Sequence, residues 1–356
     1  MDMLTSLTYL HGQPTITADI RSDNADFIVQ EILPFTMTGE GEHHLLYIQK
    51  NGLNTTEVAE RLSKFAKVHP RDVSYAGQKD KNAITEQWFC VRIPGKETPE
   101  WQHLNGELLT VLEATRHNKK LRIGALSGNR FKLTLRNVSA IDALLARLEQ
   151  VQQVGVPNYF GEQRFGHNGA NIQKARDMFA GKKVKNSNQK SMYLSAARSL
   201  VFNQLVSARL DKHQLAPLDG DCVMLSGSRS FFTVEHWDDT LLERLKTADI
   251  QLSAPLWGEG ELGANGAAAQ FETGAAAAFE SELVGLAKFG LKQERRPLLL
   301  QAEQFHWQQV DDTTLVLDFI LPAGAFATSV LRELVQYQDM AEVRRQQWLA
   351  SKEQQE

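Results

Sequence analysis

The stretch SYAGQKDKNAITEQWF, residues 74–89, combines two extended segments with a polar loop and decides how this part of the chain is arranged. Residues 73–75 and 84–91 are short and rich in apolar, β-branched or aromatic side chains, which is typical of strands. Between them, residues 76–83 (AGQKDKNA) are polar and contain a glycine, which favours a loop. The pattern predicts two strands joined by a loop that bears one carboxylate, Asp80.

Asp80 is the candidate catalytic residue of this loop. It stands between Lys79 and Lys81, whose charges favour the ionised carboxylate. An ionised aspartate on a loop is suited to act as a covalent nucleophile and is a poor general acid. The commoner interpretation of such a triplet is a turn aspartate flanked by two solvated lysines, and these residues alone leave both interpretations open.

The neighbouring residues predict further strands and one helix. Residues 27–31 (FIVQE) and 45–49 (LLYIQ) are apolar runs of strand length, and residues 130–138 (RFKLTLRNV) alternate apolar and polar side chains. A helix is expected after Asn54, which can cap it, because Glu57 stands at the third helical position and apolar residues follow at helical spacing. Strands mixed with helices in this order favour an α+β fold.

A second region is predicted to interrupt this domain. Around residues 154–166 the sequence becomes VGVPNYFGEQRFG, whose proline and glycines mark a boundary. Strand-like residues return at 315–321, and residues 327–348 read as a helix with apolar side chains at core-facing spacing. We therefore expect an α+β domain that is interrupted by an insertion, with segments at residues 1–154, 155–303 and 304–356.

The composition is that of a globular protein. The 356 residues are 42% hydrophobic and 23% charged, and no run approaches the roughly 20 apolar residues that span a bilayer. The first residues, MDMLTSLTYLHGQPT, have no basic region before their short apolar run, so we expect no secretory signal and a cytoplasmic location. Cys90 and Cys222 lie far apart without a CxxC partner, which argues against a disulfide framework and a thiolate zinc site.

Charge is unevenly distributed along the chain. The net charge is −4, yet residues 171–200 sum to about +6 and residues 201–280 to about −7. The basic stretch reads as helical, and such a separation of charge allows one surface to attract phosphates. Its candidates for contacting a nucleic-acid backbone are Lys182, Lys183 and Lys185. The alternative is a solvated helix face whose charge is balanced elsewhere.

Other motif-like features give no support to other functions. Residues 258–263 match GxGxxG by letter, but Glu259 and Glu261 would repel a pyrophosphate, and no clear βαβ pattern surrounds them. His43 and His44 are adjacent instead of four residues apart, so they read as turn histidines, and no metal is expected. The absence of GxSxG and P-loop sequences leaves serine-hydrolase and ATPase functions unsupported.

The Asp80 loop resembles the catalytic motif of the TruD family of tRNA pseudouridine synthases, in which the aspartate of a GxKDKxAxTxQ pattern is the nucleophile. Four more stretches agree with that family in order and spacing. They are ADFIVQE at residues 25–31, GNRF at 128–131, NYFGEQRFG at 158–166 and PAGAFATSVLREL at 322–334. The resemblance therefore covers nearly the whole chain.

This resemblance implies a fold and an activity. The fold is a pseudouridine-synthase catalytic domain with a mixed, largely antiparallel sheet, interrupted by a family-specific α/β insertion domain. The activity is isomerisation of uridine 13 in the D arm of tRNA to pseudouridine, an intramolecular transfer with Asp80 as the nucleophile. Because the reaction breaks the N1–C1′ bond and joins C5 to C1′ without redox change, no cofactor is expected.

The resemblance also implies the residues of a uridine pocket, namely Phe27, Asn129, Phe131 and Phe326. Aromatic faces hold a flipped base by stacking, at about 1–3 kcal/mol per base, and an amide can pair with the uracil edge. Phe131 has an alternative interpretation as a core residue, because it shares a strand face with two leucines. Arg21 matches a basic residue that often precedes the DFxVxE stretch of the family.

The implied partner is tRNA. Lys79 and Lys81 would oppose the repulsion between Asp80 and an RNA polyanion, and they join the three lysines named above as candidate backbone contacts. No protein partner is implied. The sequence leaves the oligomeric state open and is compatible with a monomer. A competing function of another class is a catalytically idle RNA-binding or RNA-folding module, against which the intact Asp80 motif speaks.

Overall fold

A computed structural model describes residues 6–353 and divides them into two compact units. The first, called the Asp80 unit, comprises residues 15–149, 302–324 and those from Leu334 onward. The second, called the Tyr159 unit, comprises the described residues up to Pro14 together with residues 150–301 and 325–333. The prediction of an insertion at residues 155–303 stays a prediction, since compactness alone does not define a functional domain.

The strands, in chain order, are β1 Thr17–Ile20, β2 Phe27–Ile32, β3 His43–Asn51, β4 Val73–Tyr75, β5 Ile84–Arg92, β6 Leu109–His117, β7 Gly128–Leu135, β8 Val156–Pro157, β9 Cys222–Leu225, β10 Phe231–Thr233, β11 Ile250–Leu256, β12 Glu294–Pro297, β13 Leu299–Leu300, β14 Glu303–Gln309, β15 Leu315–Pro322 and β16 Gln336–Asp339. The α-helices are α1 Thr55–Phe65, α2 Ile141–Val154, α3 Ala170–Phe179, α4 Ser187–His213, α5 Asp239–Lys246, α6 Gly266–Ala276, α7 Glu280–Lys288, α8 Ala327–Leu334 and α9 Met340–Glu353. None of these helices is long and apolar enough to cross a membrane.

The Asp80 unit is built on an eight-stranded sheet with the order β14-β15-β7-β2-β5-β3-β6, and β4 pairs with β5 outside this path. Neighbouring strands are antiparallel except β2 and β5, so the predicted mixed, largely antiparallel sheet is confirmed. Strand β15 shows why these residues form a sheet, because Leu315, Leu317 and Phe319 are buried at every second position. The strands predicted around the Asp80 loop correspond to β4 and β5.

Helix α1 follows β3 and packs against the sheet through Val58 and Leu62, which are fully buried one turn apart. Asn54 occupies the N-cap position, as predicted, but its side chain makes no capping hydrogen bond. The interpretation of His43 and His44 as turn histidines is wrong, because both lie in β3, where pairing with β5 and β6 extends the strand through them. Burial lowers the pKa of His44 to about 4, so it is neutral at pH 7.

The Tyr159 unit forms its core around the long helix α4 and a four-stranded antiparallel sheet with the order β10-β9-β11-β12. Asn186 caps α4 by accepting hydrogen bonds from the backbone amides of Asn188 and Gln189. Phe202 and Val206, four residues apart, face the core that also contains Tyr159. Other residues of this 27-residue helix are buried in two further core clusters, so α4 is stabilised by packing on several sides and not by the sheet alone.

The C-terminal part differs from the single helix predicted for residues 327–348. Helix α8 ends at Leu334, β16 pairs in parallel with β1, and a new helix starts at Met340. The backbone amide of Gln336 donates to the carbonyl of Ile16, which lies far away in sequence. Local periodicity does not reveal such a partner, so strand pairing overrides the helical pattern.

Candidate active site

The Asp80 loop, residues 76–83, connects β4 to β5, and hydrogen bonds to two buried polar side chains, Thr55 and Gln87, fix its backbone. Thr55, at the start of α1, accepts a hydrogen bond from the backbone amide of Lys79 at 3.0 Å. The same hydroxyl donates to the Gln87 side chain at 3.0 Å, and the Gln87 amide donates to the carbonyl of Gly77. Because Thr55 and Gln87 are buried, the backbone that leads into Asp80, at Gly77 and Lys79, is tied to helix α1 and strand β5.

Arg21 contacts the carboxylate of Asp80. Its guanidinium Nη2 lies 3.1 Å from Asp80 Oδ2, and its Nη1 lies 2.6 Å from Asp339 Oδ2. The Arg21 side chain is 8% exposed, whereas that of Asp80 is 40% exposed. Pairing of β1 with β16 brings Asp339 to the arginine, so the structure places the basic residue suggested by the family resemblance directly beside the candidate nucleophile.

Phe27 lies beside this arginine, and Phe131 packs against Phe27. The Arg21 guanidinium carbon is 4.1 Å from the centre of the Phe27 ring, and the two phenylalanine ring centres are 6.5 Å apart in an edge-to-face arrangement. Phe131 also stacks on Phe319 at 5.7 Å. Phe27 is 3% and Phe131 7% exposed, so their burial agrees with the core interpretation, while Phe27 also contacts Arg21, the partner of Asp80.

Asn129 belongs to a group of interacting polar side chains, with Lys79 and Glu31, that the sequence patterns did not reveal. It pairs directly with Glu31 across β7 and β2, and Lys79 reaches the same face from the Asp80 loop. The Lys79 ammonium donates to Asn129 Oδ1 at 2.6 Å and lies 3.1 Å from Glu31 Oε1, although the latter contact lacks hydrogen-bond alignment. Since an ammonium only donates, the amide oxygen of Asn129 is assigned to Lys79, and its N–H groups are the part that can pair with a ligand.

This geometry changes the interpretation of Lys79. A phosphate contact requires an exposed ammonium, but the Lys79 side chain is 8% exposed and its charge faces the buried carboxylate of Glu31. Lys79 therefore fits an internal role beside Asn129 better than the backbone contact expected from the sequence. Lys81, on the other side of Asp80, is exposed, which fits its candidate role.

Phe326 lies in the Tyr159 unit, half-buried against two residues of the NYFGEQRFG stretch. Its ring centre is 5.9 Å from that of Phe160, and the Arg164 guanidinium lies 5.5 Å from it. This packing explains why residue 161 is a glycine: a Cβ there would stand 2.6 Å from Thr328 Oγ1 and 3.1 Å from the Phe326 ring. Two of the family motifs thus meet around Phe326.

The basic stretch at residues 171–200 is divided between two helices and a loop. Gly181, with a φ of 108°, follows the end of α3, and α4 begins at Ser187. The stretch that reads as helical in the sequence is therefore helical on both sides of this loop but not within it, because the glycine adopts a backbone conformation that ends the first helix. The loop between the helices exposes all three candidate lysines, Lys182, Lys183 and Lys185.

Two arginines of the same stretch have structural partners. Arg176 pairs with the buried carboxylate of Glu282 at 2.7 Å, and Arg198 donates to two backbone carbonyls and pairs with Glu294 at 3.0 Å. The exposed lysines of the stretch are therefore the three in the loop together with Lys174 on α3. Of the loop lysines, Lys182 is 72% exposed and has a 3.4 Å contact to Asp177.

The fold is that of a pseudouridine-synthase catalytic domain, in which a mixed, largely antiparallel sheet carries an aspartate loop between two of its strands. It is similar to the crystal structure of the Methanosarcina mazei protein assigned to tRNA pseudouridine synthase D (TruD). The TM-score is 0.69 at 22% sequence identity, covering 92% of this chain and 96% of that chain.

The sequence profile of the family tRNA pseudouridine synthase D (TruD) matches residues 3–175 and 170–334. A tRNA pseudouridine synthase D of Shewanella oneidensis is 61% identical over 345 residues, which cover 97% of this chain and 92% of the relative. The protein of the same name from Aeromonas hydrophila is 48% identical over 340 residues, covering 95% and 96%. The chain belongs to the tRNA pseudouridine synthase D (TruD) family.

Proposed function

We propose that this chain isomerises uridine 13 in the D arm of tRNA to pseudouridine, with Asp80 as the nucleophile. The observation that carries the proposal is the Asp80 carboxylate, which is 40% exposed and lies 3.1 Å from the Arg21 guanidinium. The loop that bears it is anchored to the sheet and to α1, so the carboxylate is presented from a fixed backbone. Membership of the family supports tRNA pseudouridine synthesis as the reaction.

In this mechanism the Asp80 carboxylate attacks C1′ of the ribose as the N1–C1′ bond breaks, and the sugar becomes esterified to Asp80. The freed uracil retains the electron pair of the broken bond and turns within the pocket. C5 then attacks C1′ and the Asp80 carboxylate departs, while C5 loses a proton and N1 gains one. Atoms and electrons balance within the nucleotide, so we propose no cofactor and no metal.

Arg21 is placed to act wherever the charge of Asp80 changes. The carboxylate loses its charge when it esterifies the sugar and regains it when C5 displaces it. A guanidinium at 3.1 Å stabilises the charged forms, and its second contact to Asp339 keeps it in place while Asp80 reacts. We therefore propose Arg21 as the electrostatic partner of the nucleophile.

Asn129 is proposed to select the base. Because Lys79 holds the amide oxygen, the amide N–H groups can donate to a carbonyl oxygen of uracil. Cytosine presents an amino group where uracil has O4, so two donors would face each other and one buried donor would be left unpaired. Phe27 and Phe131 supply aromatic rings on the same sheet. Phe326 is a further candidate, as the family resemblance implies.

The RNA backbone is proposed to contact exposed lysines, because phosphate contacts position an RNA without reading its sequence. Lys81 flanks the nucleophile, and the loop between α3 and α4 provides the others, which are Lys182, Lys183 and Lys185. Since the substrate is tRNA, a cytoplasmic location is proposed as well.

A single experiment tests this function. The purified chain is incubated with unmodified tRNA transcripts without an added cofactor, and pseudouridine is mapped at single-nucleotide resolution. We expect one product, at position 13, and none in a matched transcript that carries cytidine there. Tight binding of tRNA without any pseudouridine would instead support the idle RNA-binding or RNA-folding module.

A further inference from the structure

Lys50, at the end of β3, is a fully buried lysine that no motif of the sequence singles out. Its side chain is 0% exposed, and its ammonium donates to the backbone carbonyl of Leu53 at 2.8 Å and to that of Asp80 at 2.9 Å. One cation therefore joins the end of a central strand to the residue that bears the candidate nucleophile. The cross-strand partners of Lys50 are Thr85 on β5 and Leu109 on β6, which are uncharged.

Burying this charge is unfavourable. Transfer of an ammonium out of water destabilises the charged form, and burial lowers the pKa of Lys50 from 10.5 to about 8. The charge of Asp80 acts in the opposite direction and favours the ammonium, whereas the charge of Lys79 opposes it. An apolar side chain of similar length would avoid this desolvation but would leave the carbonyls of Leu53 and Asp80 without this donor, so what the ammonium supplies is the placement of these two main-chain groups.

We propose that Lys50 is a positioning residue for the reaction, whose protonated ammonium fixes the main chain of Asp80 and stabilises the carboxylate that departs when C5 displaces it. This inference rests on the proposed function. The hydrogen bond to the Asp80 carbonyl sets where the attached carboxylate stands, and small displacements of a reacting group lower rates strongly. The positive charge acts on the same carboxylate from the buried side of the loop, while Arg21 acts on it directly.

The charge of Lys50 affects rate and stability in opposite directions as pH rises. Above about pH 8 the ammonium loses its proton, so its electrostatic effect on Asp80 disappears and the rate should fall. In the same window the unfolded chain binds more protons than the folded chain, because the pKa of Lys50 is lowered in the folded chain from its ordinary 10.5. The contribution of this group to the free energy of unfolding therefore rises with pH between about 8 and 10.5.

The test compares Lys50→Met with the parent and with Lys64→Met, a control at an exposed lysine in the last turn of α1. Single-turnover rates at saturating tRNA are measured from about pH 7 to about pH 9.5, beside tRNA affinity and thermal unfolding. For Lys50→Met we expect a rate lower by about tenfold at pH 7, unchanged tRNA affinity and loss of the alkaline decline that we expect of the parent. Lys64→Met should match the parent throughout.

Several outcomes would overturn this role. An unchanged rate in Lys50→Met would make Lys50 a structural residue, and a reduced rate that keeps the alkaline decline would remove its charge from the explanation. If Lys50→Met does not fold, the parent alone decides, because a rate that stays constant above pH 8 contradicts the role of the ammonium. A parent that forms no pseudouridine would refute the proposed function itself, which is a separate result.

Discussion

Asp80→Asn should separate catalysis from stability, because it keeps the shape of the side chain and removes its charge. The Asp80 carboxylate is 40% exposed and pairs with Arg21 at 3.1 Å, while Arg21 retains Asp339 at 2.6 Å. Partly exposed ion pairs contribute about 1 kcal/mol or less, so the melting temperature should fall by less than about 4 °C. The single-turnover rate should fall by about 10⁴-fold or more, because an amide is a far weaker nucleophile toward C1′.

The matched control is Asp339→Asn, which makes the same chemical change at the other partner of Arg21. It removes the charge at the shorter contact, 2.6 Å, but leaves the proposed nucleophile intact. We expect a rate within about tenfold of the parent for this variant, since its effect reaches Asp80 only through the arginine. Pseudouridine formed by Asp80→Asn at a rate within tenfold of the parent, or equal losses in both variants, would refute the assignment of Asp80.

Substitutions at the aromatic residues and at the loop lysines test the remaining site assignments. Phe131→Ala should lower the free energy of unfolding by about 3–5 kcal/mol because the side chain is 7% exposed, whereas half-buried Phe326→Ala should cost less and reduce mainly the rate. Thermal unfolding beside single-turnover kinetics distinguishes the two, and a melting temperature of Phe326→Ala as low as that of Phe131→Ala would contradict its pocket role. Exchanging all three loop lysines for glutamate should raise KM for tRNA and flatten the salt dependence of Kd by up to about two to three logarithmic slope units, with little change in the single-turnover rate. The triple variant carries Lys182→Glu, Lys183→Glu and Lys185→Glu. Identical salt slopes in the parent and this variant would show that the loop lysines are solvated and do not contact the RNA backbone.

Local patterns were sufficient for the strands around the nucleophile. Residues 73–75 and 84–91 were predicted as strands and correspond to β4 and β5, because short β-branched and aromatic runs fit a half-buried sheet wherever it lies. Alternation in residues 130–138 likewise predicted β7 and the buried face to which Phe131 belongs. A glycine and polar residues interrupt the apolar runs of β4 and β5, and this pattern predicted the Asp80 loop between these two strands.

Patterns failed where one element depends on a distant one. The C-terminal helix is divided because β16 pairs with β1, and the sequence contains no local sign of that partner. Arg21 contacts Asp80, which is 59 positions away in the sequence, and Asp339, which is 318 positions away. Such pairs form because the sheet brings their strands together, which hydrophobic periodicity within a window does not describe.

The sequence by itself determined which chemical groups are present and in what order, and through its motifs it determined the family. Only the tertiary structure decided which charged side chains are buried and which are exposed to solvent. Lys79 and Lys81 look equivalent in the triplet around Asp80, yet one ammonium is buried against Glu31 and the other is exposed. The physical reason is that a side chain is desolvated by residues from distant parts of the chain, so its charge acquires a role only when the sheet is assembled.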